Sequence, residues 1–191
     1  MRLKSIVLYI MYIGSLGLAF CESTDQPPAT ITAIMNKLYH LGFVVNVEMG
    51  NTYPTFQLTD LQTANNPVTA LEVLRPILKQ QGFDFDVKDK MITIYDKSLY
   101  EMGDRYSLNK AFSLKVKDSS VRDCLKKVEA AIGVKIVLLS FGGDSKKKIT
   151  LNSKLTFREV LNEIATETRC RGWTATTDFT QDHVPCIVLS L

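Results

Sequence analysis

The chain has 191 residues with 23 basic and 20 acidic side chains, a formal net charge of +3, and 46% hydrophobic residues. That composition suits a globular protein of one or two small domains, and the charge is too small to favour nucleic acid or an anionic membrane surface as partner. Two histidines and four cysteines leave little material for a metal centre.

Arg2 and Lys4 precede the apolar run IVLYIMYIGSLGLAF, and ESTDQPP follows it. This is the pattern of a secretory signal, expected over 1–21. The run has 15 residues, short of the about 20 that a bilayer span needs. Ala19 and Cys21 each suit a cleavage site. Leu18-Ala19-Phe20-Cys21 is also similar to a lipoprotein box, with bulky Phe20 where a small residue is expected, and a lipid on Cys21 would then be the membrane attachment. Beyond the signal the charge is uneven. Residues 22–100 carry six basic and nine acidic side chains, net −3, and residues 101–191 carry fifteen and eleven, net +4. Such halves attract each other or neighbouring copies, or are two ordinary solvated surfaces.

In chain order, the stretch from Ala33 reads as a helix ending at Gly42, where glycine takes the left-handed C-terminal conformation. Strands FVVNV and TFQLTDL follow, then a helix with Pro67 as its first residue. Pro76 is expected to bend that helix or end its first half. DFDVKD and MITIYD make a strand pair turning at Asp89-Lys90, and KSLYEMGDRYSLNKA reads as a linker. After it, FSLKVK alternates as a strand, and Ser119 or Ser120 caps a helix with Val121, Cys124, Leu125, Val128 and Ile132 on one face. KIVLL is expected as a buried strand, FGGDSKKK as a polar turn and ITLN as a strand. Thr156 with Glu159 opens the helix FREVLNEIATET as a capping box, and WTATTD and CIVLSL close the chain as paired strands.

Setting Gly82 on Gly172 aligns Ala70-Leu71 with Val160-Leu161, Leu74 with Ile164 and Phe83 with Trp173. Setting Gly42 on Gly133 aligns Ala33 with Cys124, Ile34 with Leu125 and Leu41 with Ile132. The offsets, 90 and 91 residues, nearly agree, so the chain reads as two copies of one module. The expected fold class is α+β: two tandem modules, 28–97 and 111–191, joined by a linker over 98–110. Each has two helices packed with short mixed sheets, in the order βαββαββ in the second, with the first strand missing from the first.

The series FSLKVKDSSVRDCLKKVEAAIGVKIVL, KKITLN and LTFREVLNEIATET, with the closing strand pair, resembles the short N-terminal domain of outer-membrane secretins and signalling TonB-dependent receptors, the STN domain. It is also similar to the C-terminal domain of FecR-type regulators. The resemblance covers Phe112 to Leu191 well and Thr30 to Asp96 more loosely. It implies a small α+β unit of two helices and two small sheets, and a protein that docks onto envelope proteins in the periplasm or at the outer membrane of a Gram-negative-type bacterium. The partner implied is a secretin, a TonB-dependent receptor, a FecR-like regulator or another copy of the chain.

Candidate chemistry is sparse. His40 sits in the last turn of a helix, where it complements the carbonyl end, and His183 lies in a loop; neither has ligand-spaced neighbours. Asp182, His183 and Cys186 suggest a thiol nucleophile, but after export an oxidised Cys186 is the stronger expectation. Its expected partner is Cys170, closing a loop of about 15 residues and contributing roughly 3 kcal/mol. Cys124 reads as a buried free thiol. Gly142-Gly143-Asp144 followed by Lys146, Lys147 and Lys148 lacks the spacing of a phosphate loop and reads as a solvated turn, or as a basic strip for an acidic protein. The reading is therefore a non-catalytic envelope adaptor with no cofactor, no metal, no nucleic-acid partner and no identified small-molecule substrate. A self-assembling structural protein and an envelope hydrolase are the alternatives.

Overall fold

Local signals set the helix starts. Asn66 accepts a hydrogen bond from the Thr69 amide at 3.0 Å, one residue ahead of Pro67, and Ser120 accepts from the Asp123 amide at 3.1 Å. Thr156 and Glu159 bond each other's backbone amides in a capping box. The computed structural model describes residues 29–50, 54–178 and 184–190. The expected signal over 1–21, with Cys21, and His183 lie outside the described residues.

In the first half β1 (Ala29–Thr30), α1 (Ile31–His40), β2 (Val44–Met49) and β3 (Thr55–Phe56) are followed by a short α2 (Thr59–Thr63), then α3 (Pro67–Lys79), β4 (Phe83–Lys88) and β5 (Met91–Asp96). A connection with α4 (Lys97–Tyr100) and two 3-10 turns leads to β6 (Ala111–Ser119), α5 (Val121–Ile132), β7 (Val137–Phe141), β8 (Ile149–Thr156), α6 (Phe157–Thr168), β9 (Gly172–Asp178) and β10 (Val184–Ser190). The fold is α+β.

The two halves share one topology. The first and third strands of each form an antiparallel pair, β1 with β3 and β6 with β8. The last strand runs antiparallel to the strand before it and parallel to the second: β5 between β4 and β2, β10 between β9 and β7. The two three-stranded units then merge, because β2 pairs in parallel with β9 through Val47–Thr174, Glu48–Ala175 and Met49–Thr176. The result is a six-stranded sheet in the order β4-β5-β2-β9-β10-β7.

Alternation along β2 places the two cores. Val45, Val47 and Met49 belong to the first core, so Asn46 and Glu48 point to the other face. Ala175, directly across from Glu48, belongs to the second core. The helices of the two halves therefore cover opposite faces of one sheet.

Several expectations change. The opening strand of the first half is present, as β1. TFQLTDL is a strand only over Thr55–Phe56, after which the chain turns into α2. Pro76 lies inside α3, which runs on to Lys79; Pro76 sits in the last turn on the exposed face, where a missing amide bond and a ring are tolerated. KIVLL is not a buried strand: β7 begins at Val137 and lies at the sheet edge, with Val137 and Leu138 half-buried. The first helices align at 90 rather than 91, since the caps are Thr30 and Ser120 and the buried faces are Ile31, Ile34, Met35, Leu38 and Val121, Cys124, Leu125, Val128. The longer α5 then brings Gly133 onto Gly42. The segment expected as a linker is packed, with Leu99, Tyr106 and Leu108 buried in the second core.

Candidate functional site: the repeat junction and the sheet edges

Because Asn46 and Glu48 alternate onto one face of β2, and Arg158 and Asn162 lie one turn apart on α6, two pairs of polar side chains meet under the helix. Glu48 is fully buried and receives both Nε and Nη2 of Arg158, the latter at 2.7 Å. Arg158 Nη2 also donates to Asn109 Oδ1 at 2.8 Å, and the guanidinium lies 5.0 Å from the centre of the Tyr100 ring. Asn46 donates to Asn162 Oδ1 at 3.0 Å and accepts from the Trp173 amide at 3.2 Å, while Trp173 Nε1 donates to Asn162 Oδ1 at 2.8 Å. Burial pushes the Glu48 carboxyl pKa up, and the Arg158 bonds oppose that shift. Such a fully hydrogen-bonded polar set fixes the register of two elements rather than adding much stability. Its chemistry is that of a lock between the repeats.

The backbone closes tightly beside it. Val45 donates its amide to the Arg171 carbonyl at 2.9 Å, and a Cβ on Gly172 would run into the Val45 carbonyl. Glycine at 172 is what lets β9 begin against β2.

The outer strands, β4 and β7, have no strand on their far sides among the described residues. A groove of about 380 Å³ lies between α5 and β7, and its lining includes Leu125 and Leu138 together with Arg122, Lys126 and Lys135. Glu129, also lining the groove, accepts from the Ile136 amide at 2.7 Å.

The residues singled out in the sequence do not gather into one site. Lys146, Lys147 and Lys148 are exposed in a turn that Asp144 holds through bonds to the Lys146 and Lys147 backbone, and they do not line the groove. Gly143 sits against Cys170, Thr168 and Phe141, so this turn is fastened to the end of α6 on one side and solvated on the other. Cys170 is a buried free thiol with Sγ 3.2 Å from Thr168 Oγ1, so the bridge expected to Cys186 is not formed. Register gives the reason: Cys186 pairs with Thr176, four residues beyond Gly172, about 13 Å along β9, whereas a disulfide needs Cα atoms within about 7 Å. The side chain of Cys186 lies outside the described residues. Cys124 is buried on α5, and burial pushes its thiol pKa up to about 11.

No protein family, curated protein or solved structure matches this chain. Among the described residues no helix is long and apolar enough to cross a membrane, and no group of three or more His, Cys, Asp or Glu side chains could hold a metal ion.

Sequence reasoning missed Asn46, Glu48, Arg158 and Asn162. The stretch VVNVEM looks like a strand with one solvated face, because α6, which covers that face, lies over a hundred residues away. The one signal available was a departure from the repeat: Arg158 stands where the first copy has Val68, and Asn162 where it has Glu72.

Proposed function

We propose that the chain is a non-catalytic envelope adaptor that docks onto a secretin, a TonB-dependent receptor or a FecR-like regulator through its repeated units. The observation that carries this reading is architectural. Each half has two long helices with a two-stranded sheet and three strands of the shared six-stranded sheet, close to the arrangement implied by the resemblance to the STN domain. The outer strands of the joined sheet supply two backbone edges, and an open edge is a surface onto which an extended segment of another protein adds as a further strand. The polar side chains most deeply buried in the junction are spent on each other, which suits a scaffold better than a reaction centre.

The test is crosslinking in intact cells of a chain tagged after Leu191, with the captured proteins identified by mass spectrometry. Capture of a secretin, a TonB-dependent receptor or a FecR-type regulator supports the adaptor. Capture of none of these classes contradicts it.

A further inference from the structure

The junction between the repeats is a contact that can be made again. Strand registers equate Phe83, Asp84, Phe85 and Asp86 of β4 with Trp173, Thr174, Ala175 and Thr176 of β9, and Val47 of β2 with Leu138 of β7. β4 and β9 occupy equivalent places but run in opposite directions, and the two cores lie on opposite faces. One repeat is therefore carried onto the next by a half-turn about a line across the strands, plus a shift along it. An operation with a shift does not close on itself. Applied once more, it brings β4 of another molecule beside β7, in parallel. We propose that this protein associates head to tail with a second copy of itself, β4 of one molecule extending the sheet at β7 of the next.

Charge supports this occupant. In β4, Phe83 and Phe85 turn into the first core, so the exposed Asp86 lies on the other face, with Asp84 beside it already paired with Arg75 of its own chain. In the repeated junction that face meets the groove between α5 and β7, where Arg122, Lys126 and Lys135 stand. The acidic first half and the basic second half are thereby brought together at every contact.

The hydrogen-bonding edge supports it too. Ile136 takes the place of Val45, whose amide donates to the carbonyl of Arg171 across the internal junction. In the single chain the Ile136 amide is instead held by the Glu129 carboxylate, a side chain standing where a partner's carbonyl would be. Gly82 takes the place of Gly172, and a Cβ at Gly82 would meet nothing within 4 Å. Val68, which takes the place of Arg158, is 67% exposed. One feature limits the strength of the contact: β7 carries an extra residue at Leu139, between the pairs Leu138–Ile187 and Ser140–Val188. A bulge on an edge shortens the ladder offered to a partner, so the association is reversible and depends on concentration.

Sedimentation velocity on the purified chain over a concentration series tests this apart from the adaptor reading, because no other protein is present. The mass is expected to grow with concentration beyond a dimer and to fall with added salt. Asp86→Lys and Lys126→Glu should each lower the association constant by about tenfold or more. Mixed together, the two variants should associate again, because every junction of an alternating array then joins opposite charges; recovery on mixing also shows that both are folded. Glu129→Ala, which frees the Ile136 amide, should strengthen association by about tenfold. The proposal is overturned if the chain and Glu129→Ala both stay monomeric at all concentrations, or if association is indifferent to Asp86→Lys and Lys126→Glu.

Discussion

Arg158 and Glu48 form the most deeply buried ion pair among the described residues. A carboxylate with no exposed surface is tolerable because two guanidinium nitrogens face it and Asn109 occupies another bond of the same guanidinium. Removing one partner of such a pair leaves a buried charge without compensation, so Arg158→Ala is expected to cost about 3 to 5 kcal/mol in urea denaturation. Replacing both residues with apolar ones of similar volume should cost much less. The pH dependence of the single variant has a definite sign. Burial raises the Glu48 pKa in the folded state, and without Arg158 nothing offsets it. The folded variant then holds a proton that the unfolded chain has released, so its stability is greatest below the ordinary carboxylate value and falls as pH rises through the raised one. A variant equally unstable at acid and neutral pH would show that Glu48 is not the cause. None of this was legible at the residues themselves. Val45, Asn46, Val47 and Glu48 alternate as a half-solvated strand does, and only the packing of α6 turns the polar positions into buried ones.

At the scale of elements the sequence was far more informative. Caps at Asn66, Ser120 and Thr156, the turn at Asp89 with φ of 55°, and the left-handed glycines at 42 and 133 all act within a few residues, so their physics is written locally. Strand lengths and burial were less legible, since β3 and β7 depend on what pairs beside them. The two glycines that aligned the repeats now separate two roles. Gly82 has φ of 79° and open space around it, whereas Gly172 has φ of 150° and lies against the backbone of Val45. Gly82→Ala should cost only about 1 kcal/mol, from backbone strain. Gly172→Ala must push β9 away from β2 and should lower the denaturation midpoint well beyond Gly82→Ala. Equal effects at the two positions would mean that the close approach of β9 to β2 is not needed.

Over the whole molecule, the repeat was legible as a period of about ninety residues, but the merging of its copies was not. Nothing in FVVNV or WTATTD says that β2 will choose β9, because parallel pairing across so many residues leaves no local mark. Two beads on a linker and two units in one sheet fit the same sequence equally well. They differ in the fate of one amide. On β2 the Val44 amide bonds Lys90, next to β5 and inside the first half, while the Val45 amide bonds Arg171, across the junction. Amide hydrogen exchange followed by NMR reads the two side by side. One continuous sheet predicts that Val45 exchanges as slowly as Val44, both opening only with the core of the molecule. Fast exchange at Val45 beside slow exchange at Val44 would mean that the halves fold as separate units and that the junction does not hold in solution.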